Sequence, residues 1–312
     1  MQSTLNPNLE ERKVTKTIFV VSYATLQPMM LRTEGIYDTC TRLAGAAEVP
    51  SIITRKMIRP LRDTLRNMAR KTDDGWIKTC NFPTEEMCCY CIDCLIFGGT
   101  NAKAGNERVV NGKKVKFKSR TVQLRSLVYP SDALLVAKDH RGTIESETHV
   151  GVKEGRWADI GRALYSPFQI PAGMKFIGTF MLDFDKTQVN QQNLVNVFAT
   201  IFIRTRRYGG RTAQEGLTEP QILAVIDAPY ECMSSYDLYE VVKNVKEDET
   251  WIVAVNNHIE NSLMKNVEGI KKLVPTILQE KQLLDAINDL TTEFRKELRA
   301  EGIEIQEKGT SS

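Results

Sequence analysis

The sequence predicts an α+β fold, a sheet with two principal helices and several insertions. Three observations predict it. Lys16 to Leu31, Met174 to Phe184 and Gln221 to Asp227 are rich in β-branched and aromatic residues, which favour strands. Ser51 to Lys71 and Gln191 to Arg204 carry apolar residues at helical spacing. Strands precede, follow and surround these two helices without a strict β-α alternation, which is the α+β pattern.

Taken in order, Lys16 to Leu31 (KTIFVVSYATLQPMML) reads as the first strand. Ser51 to Lys71 places Ile58, Leu61, Leu65 and Met68 on one helical face. Ser51, following Pro50, is expected to cap this helix, and Pro60 to kink or restart it. The opposite face would present Arg55, Arg59, Arg62, Arg66 and Arg70. A cysteine cluster follows, closed by Leu95-Ile96-Phe97-Gly98-Gly99. Thr100 to Lys114 is polar and contains Asn111-Gly112, a strong hairpin signal. Lys116 to Val128 alternates as a strand would, and Ala133 to Lys138 suits a strand or a short helix. Glu145 to Pro171 reads as an extended hairpin turning at Lys153-Glu154-Gly155.

Met174 to Phe184 is the next strand. The Gln191 to Arg204 helix buries Leu194, Val197, Phe198, Ile201 and Phe202. The Tyr208-Gly209-Gly210 turn and the Gln221 to Asp227 strand complete a β-α-β unit. Trp251 to Asn256 is expected as a strand, and Leu273 to Ala300 as a long charged helix before a polar tail.

Composition sets limits. At 312 residues with 42% hydrophobic content, the chain can bury a substantial core. No stretch approaches ~18 uncharged apolar residues, so no transmembrane helix is expected. The start, MQSTLNPNLEERK, lacks the basic and apolar regions of a secretory signal, so a cytoplasmic protein is expected. The net charge is only +3, but basic residues concentrate in Arg55 to Lys71, Lys103 to Arg125 and Arg204 to Arg211. A local basic surface suffices to bind phosphates, although any one run is also consistent with a solvated face.

Five of the seven cysteines fall between Cys80 and Cys94. In a cytoplasmic chain such a cluster points to metal rather than disulfides. Cys80, Cys88, Cys91 and Cys94 form a set with two C-x2-C steps, which suits four thiolates at about 2.3 Å from one zinc ion. An all-thiolate site of this kind is structural. An iron–sulfur cluster, or buried cysteines without metal, are the other readings. Cys89 is adjacent to a ligand and is set aside, as are the distant Cys40 and Cys232.

Arg204, Arg206, Arg207, Tyr208, Gly209, Gly210 and Arg211 form a compact basic turn. The glycines would let backbone N–H groups approach a phosphate, the arginines would clamp it, and Tyr208 would stack a base. The same residues also suit a helix C-cap with basic residues complementing the dipole.

The order of motifs is more specific than any one of them. Val49-Pro50-Ser51 opens a basic helix, Leu95-Ile96-Phe97-Gly98 follows the cysteines, and Lys118-Ser119-Arg120 comes next. Then come the hairpin, Ile170-Pro171-Ala172-Gly173-Met174-Lys175-Phe176 and the glycine turn. Over roughly Thr17 to Asp227 this resembles the RAMP superfamily of CRISPR proteins, in particular the Cas-seven-type backbone subunit of the type I-D interference (Cascade) complex.

The resemblance implies an RRM-like (ferredoxin-like) palm over 1–72 and 115–260, with a zinc insertion at 73–114. It also implies a thumb hairpin at 145–172, and it leaves a helical extension at 261–312. Copies would stack along a CRISPR guide RNA beside other complex subunits and present it for pairing with a target nucleic acid, with no membrane involved. No catalytic residue is implied. Arg32, Ser51, Arg55, Lys56, Arg59, Arg120 and the thumb residue Trp157 would join the glycine turn in facing RNA. Two other readings remain. One is a RAMP-type endoribonuclease, for which His140, His149, His258, Asp38 and Asp132 are the available acid–base groups. The other is a zinc-bearing assembly protein with no RNA role.

Overall fold

The first strand, β1 (Lys16–Thr25), is buried along almost its whole length, as befits a central strand covered on both faces. The computed structural model describes residues 15–27, 29–30, 40–42, 48–52, 54–69, 91–101, 108–110, 113–115, 122–136, 145–146, 149–152, 162–165, 168–209, 215–245 and 250–301. After β1 come β2 (Met29–Met30), β3 (Cys40–Arg42), β4 (Glu48–Ile52), α1 (Thr54–Ala69) and α2 (Ile92–Phe97). Short strands follow: β5 (Gly99–Asn101), β6 (Arg108–Val110), β7 (Lys113–Val115), β8 (Val122–Leu124), β9 (Val128–Pro130) and β10 (Ala133–Val136). The hairpin region contains β11 (Glu145–Ser146), β12 (His149–Val152), β13 (Arg162–Tyr165) and β14 (Phe168–Ile170). Then come β15 (Lys175–Asp183), α3 (Gln191–Arg204), β16 (Arg207–Gly209) and β17 (Glu215–Ala228). The chain closes with α4 (Ser235–Val242), α5 (Trp251–His258), α6 (Met264–Asn266), β18 (Lys271–Leu273) and α7 (Glu280–Ala300).

The main sheet runs β16-β17-β1-β15-β10-β4-β3, with β18 on β17 and β9 on β15. Both neighbours of β1 are antiparallel to it, and β10 is antiparallel to β15. Along the chain, β1, α1, β10, β15, α3 and β17 form a β-α-β-β-α-β walk, and its last strand returns beside its first.

One face of the sheet carries α1 and α3. Phe198 of α3 meets Phe19 and Phe180 edge-on at 5.0 and 5.4 Å, and Phe202 meets Tyr23 at 5.5 Å. Gly178 lies under α1, where an added Cβ would come 3.5 Å from Met57. On the other face, α4 lies against β10 and β15, and α5 against β17.

Several expectations change. Ser51 is not a helix cap; it sits in β4, paired with Leu134, and α1 starts at Thr54, whose N–H donates to Asp132 Oδ1 at 2.9 Å. The helix continues through Pro60. Trp251 to Asn256 is a helix, started by the Thr250 hydroxyl accepting from Val253 N–H. The first strand stops at Thr25, whose hydroxyl donates to the Pro171 carbonyl.

The C-terminal helix begins at Glu280, because Lys271–Leu273 pairs with β17 as β18. α7 packs on the core, burying Leu283, Ile287, Leu290, Phe294 and Leu298 beside α3 and α2. Its Glu293 and Glu297 accept the N–H groups of Asn190 and Gln188 at the start of α3.

β6 pairs with β7 on either side of the expected Asn111-Gly112 turn, which itself lies outside the described residues. The long hairpin also forms, with Val152 paired to Arg162; the turn expected at Lys153-Glu154-Gly155 lies outside the described residues.

Candidate functional site

The predicted arginine face of α1 divides in two. Arg59 is exposed, 3.7 Å from Asp63. Arg62 and Arg66 turn inward instead. Arg62 donates through Nε and Nη2 to the two oxygens of Asp93 at 3.0 and 2.9 Å, and Arg66 donates through Nη2 at 2.9 Å. Asp93 is fully buried, and a buried carboxylate needs such partners. Lys56 is also buried, so it does not belong to a solvated basic face. Arg55 lies in the first turn of α1.

The basic turn after α3 is a strand, not a helix cap. Thr205 ends α3, its N–H and hydroxyl both donating to the Ile201 carbonyl, and β16 then pairs with the start of β17. Alternation along β16 sends Tyr208 into the core and leaves Arg207 exposed, as is Arg206 just before it. The Tyr208 ring is fully buried, 4.7 Å from Tyr23 and edge-on to it. Burial pushes both phenols up from their ordinary pKa. The expectation that Tyr208 stacks a base is therefore corrected: a ring with no exposed face cannot do so. Gly209 pairs with Glu215, and Arg204 is exposed while donating to the Leu278 carbonyl at 2.8 Å.

This strand lies beside the root of the long hairpin. β2 pairs with β14, β14 with β11, and β2 also lies against β16 and β17. The Leu26 and Gln27 N–H groups donate to the Leu217 carbonyl, which fastens the same corner. β11–β14 and β12–β13 share one register, so the two short ladders belong to a single hairpin leaving the sheet there. α1 reaches the corner through the Thr205 and Thr64 hydroxyls, 2.9 Å apart. The exposed Arg206 and Arg207, the C-terminal half of α1 and the hairpin base thus meet at one end of the sheet. Sequence reasoning missed Asp93. A signal for it existed, since it is a lone charge inside the apolar run Cys91 to Phe97.

Of the cysteine set, Cys91 and Cys94 are buried, and with the Asp93 carboxylate their donor atoms lie within 4.8 Å of one another. Two thiolates spaced by a C-x2-C step fit half of a tetrahedral zinc site. Asp93 does not fit as a further ligand, because its oxygens are held by two guanidiniums whose charge opposes a cation there. Ile92, Leu95, Ile96 and Phe97 belong to the main core. Cys80, Cys88, Arg32, Arg120, Trp157, Gly210 and Arg211 lie outside the described residues.

Comparison with known proteins completes the description. The family model described as Csc2 Crispr matches residues 4–303. No curated protein matches. The crystal structure of Thermofilum pendens Csc2 aligns at TM-score 0.59 and 20% identity, over 92% of this chain and 90% of that one. A CRISPR RNA-guided surveillance complex aligns at TM-score 0.42 and 14% identity, over 91% of this chain and 99% of that one. A type IV-B CRISPR complex aligns at 0.40 and 15%, over 66% and 90%.

Proposed function

The chain belongs to the Csc2 CRISPR family, and we propose that it serves as a Cas-seven-type backbone subunit of a guide-RNA surveillance complex and grips the guide RNA at the corner where β16 meets the long hairpin. The observation that carries this is the pairing of β2 with the hairpin root beside the exposed Arg206 and Arg207. Guanidiniums on a rigid strand edge make charge-assisted contacts to phosphate without reading sequence. A hairpin rooted at the same corner is placed to interrupt the RNA path and to reach the next copy.

On this reading the β-α-β-β-α-β core is an RRM-like palm and the complex is of type I-D. Cys80, Cys88, Cys91 and Cys94 hold a structural zinc ion, which supplies cross-linking and no chemistry. We read the subunit as a scaffold and not a nuclease. Asp132, one carboxylate available for cleavage, serves the N-terminus of α1, which supports that reading.

The test is a double substitution, Arg206→Ala with Arg207→Ala. Charge-assisted contacts contribute on the order of 1.5–3 kcal/mol each, so affinity for single-stranded RNA should fall about a hundred-fold or more. The salt dependence of binding should flatten, and thermal stability should hold, because both side chains are exposed. Unchanged affinity would place the RNA elsewhere.

A further inference from the structure

Strand register decides which face of the sheet each exposed cation uses. Tyr208 pairs with Gly216 and Tyr23 with Pro220, and both rings lie on the α3 side. Alternation sends Arg207, one residue before Tyr208, to the opposite face. Lys175 pairs with Ala24, the neighbour of Tyr23, and so points to that same face. Its contact agrees: the Lys175 ammonium lies 5.7 Å from the centre of the Trp251 ring, and Trp251 opens α5. Arg207 pairs with Leu217, whereas Ala24 pairs with Glu219. Three strand spacings across and two residues along therefore separate Arg207 from Lys175, roughly 16 Å between their Cα atoms. The hairpin root is tied to both. β2 lies against β16, and β14 runs into Lys175 through a turn in which the Thr25 hydroxyl donates to the Pro171 carbonyl and accepts the Met174 N–H. From Trp251, α5 runs over the sheet face to Asn256, whose side-chain amide donates to the Leu223 carbonyl at 3.3 Å. RNA cannot lie flat there as it does on a bare RRM sheet, and only the end of the sheet beyond α5 is open to it.

We propose that the RNA strand passes from Arg207 to Lys175 across this end of the sheet on the α5 side, that Lys175 is a second phosphate contact, and that Trp251 positions it. This rests on the RNA grip proposed above. A lysine stem is flexible, and ordering it on binding costs entropy. An aromatic ring beside the ammonium orders it in advance and leaves its charge intact, whereas a carboxylate would neutralise it. Among the described residues no ion pair engages Lys175, Arg206 or Arg207, and all three are exposed. Glu219 is the opposing charge on this path. It is exposed, and its pairing with Ala24 puts it on the same face, between the two cations. Its carboxylate repels phosphate, so the strand is held at its two flanks and weakened between them.

The test uses the full chain and reads two quantities for each variant: Kd for a single-stranded RNA oligonucleotide at several salt concentrations, and stability to urea. Lys175→Met should weaken binding about ten-fold or more at native stability, and should lower the salt slope by about 0.7, the share of one phosphate contact. Trp251→Leu should weaken binding about two- to five-fold per folded molecule, and by less than about 1.5-fold when made in the Lys175→Met background. Trp251→Phe, which keeps a ring, should recover most of that loss. Glu219→Gln should tighten binding about two-fold, a gain that a purely structural role would not give. The Arg206→Ala, Arg207→Ala pair is the control. If that pair weakens binding and Lys175→Met does not, the corner grip stands and the path on the α5 side is wrong. If neither weakens binding, the grip falls and this path with it. Equal losses from Trp251→Leu in the two backgrounds would mean that Trp251 does not act through Lys175. Unchanged or weaker binding by Glu219→Gln would place the strand away from this face.

Discussion

Replacing Gly98 with alanine separates backbone strain from lack of space at the junction of α2 and the core. Gly98 has φ 69° and ψ 176°, a conformation that residues with a Cβ rarely adopt, at a cost of order 1–3 kcal/mol. An added Cβ would also stand 2.6 Å from the Ser126 nitrogen and 2.7 Å from the Leu124 oxygen. Both are backbone atoms, so relief requires moving the β8–β9 connection, and forcing such contacts typically costs a further 1–3 kcal/mol or so. The Gly98→Ala variant should lose about 2–6 kcal/mol, which for a chain of this size lowers Tm by roughly 3–9 °C. Gly173→Ala is the matched control. It too has positive φ, 85°, but nothing lies within 4 Å of its would-be Cβ, so it should lose only about 1–2 kcal/mol. Thermal and urea denaturation followed by circular dichroism give both values. Equal losses in the two variants would mean that α2 is not clamped against Leu124–Ser126.

Other outcomes follow from burial. Tyr208→Leu should destabilise the protein by about 1–3 kcal/mol yet leave RNA affinity per folded molecule within about two-fold, since the ring packs on Tyr23; a large loss of affinity at unchanged stability would restore a stacking role. Leu290→Ala in α7 should cost about 2–5 kcal/mol, whereas Val274→Ala, 89% exposed, should cost almost nothing; comparable losses, measured by urea denaturation, would mean α7 is not part of the core. Replacing 153–161 by Asn-Gly keeps the Val152–Arg162 pairing and should leave Tm nearly unchanged, while cooperative loading on a long RNA falls more than binding to a short one; an equal fall on both RNAs, seen in titrations, would remove the copy-to-copy role.

The parts of the fold legible in the sequence are those whose signal is local. The helix Gln191–Arg204 is legible to the residue, because Asn190 caps it and its apolar residues repeat at helical spacing. The strands on either side are legible as unbroken β-branched and aromatic runs, which is how doubly covered strands appear. Trp251 to Asn256 shows the limit of that signal. A short apolar run such as WIVAVN is compatible with a buried strand or a helix by pattern alone, and Thr250 settles it by capping.

The candidate site is less legible because charge does not reveal direction. Arg59, Arg62 and Arg66 sit on one helix and look equivalent in sequence. Helical periodicity does not separate them, since all three project from the same side of α1. What separates them is position along the axis: α2 meets α1 beside its later turns, so the carboxylate, 31 residues downstream of Arg62, reaches Arg62 and Arg66 and leaves Arg59 in solvent. The basic turn behaves alike, because strand alternation buries Tyr208 and exposes Arg207. For α1 the informative residue is the one that breaks its local pattern elsewhere in the chain. Asp93 is a charge within an apolar run, and a buried carboxylate there is tolerable only if cations come to it. Given Asp93, arginines have to be withdrawn from solvent, and the i, i+4 spacing of Arg62 and Arg66 makes them a pair that one carboxylate can hold from one side of α1. The exposed basic surface is therefore what remains after the buried carboxylate has taken its share, and among the described residues Arg59, Arg206 and Arg207 belong to it.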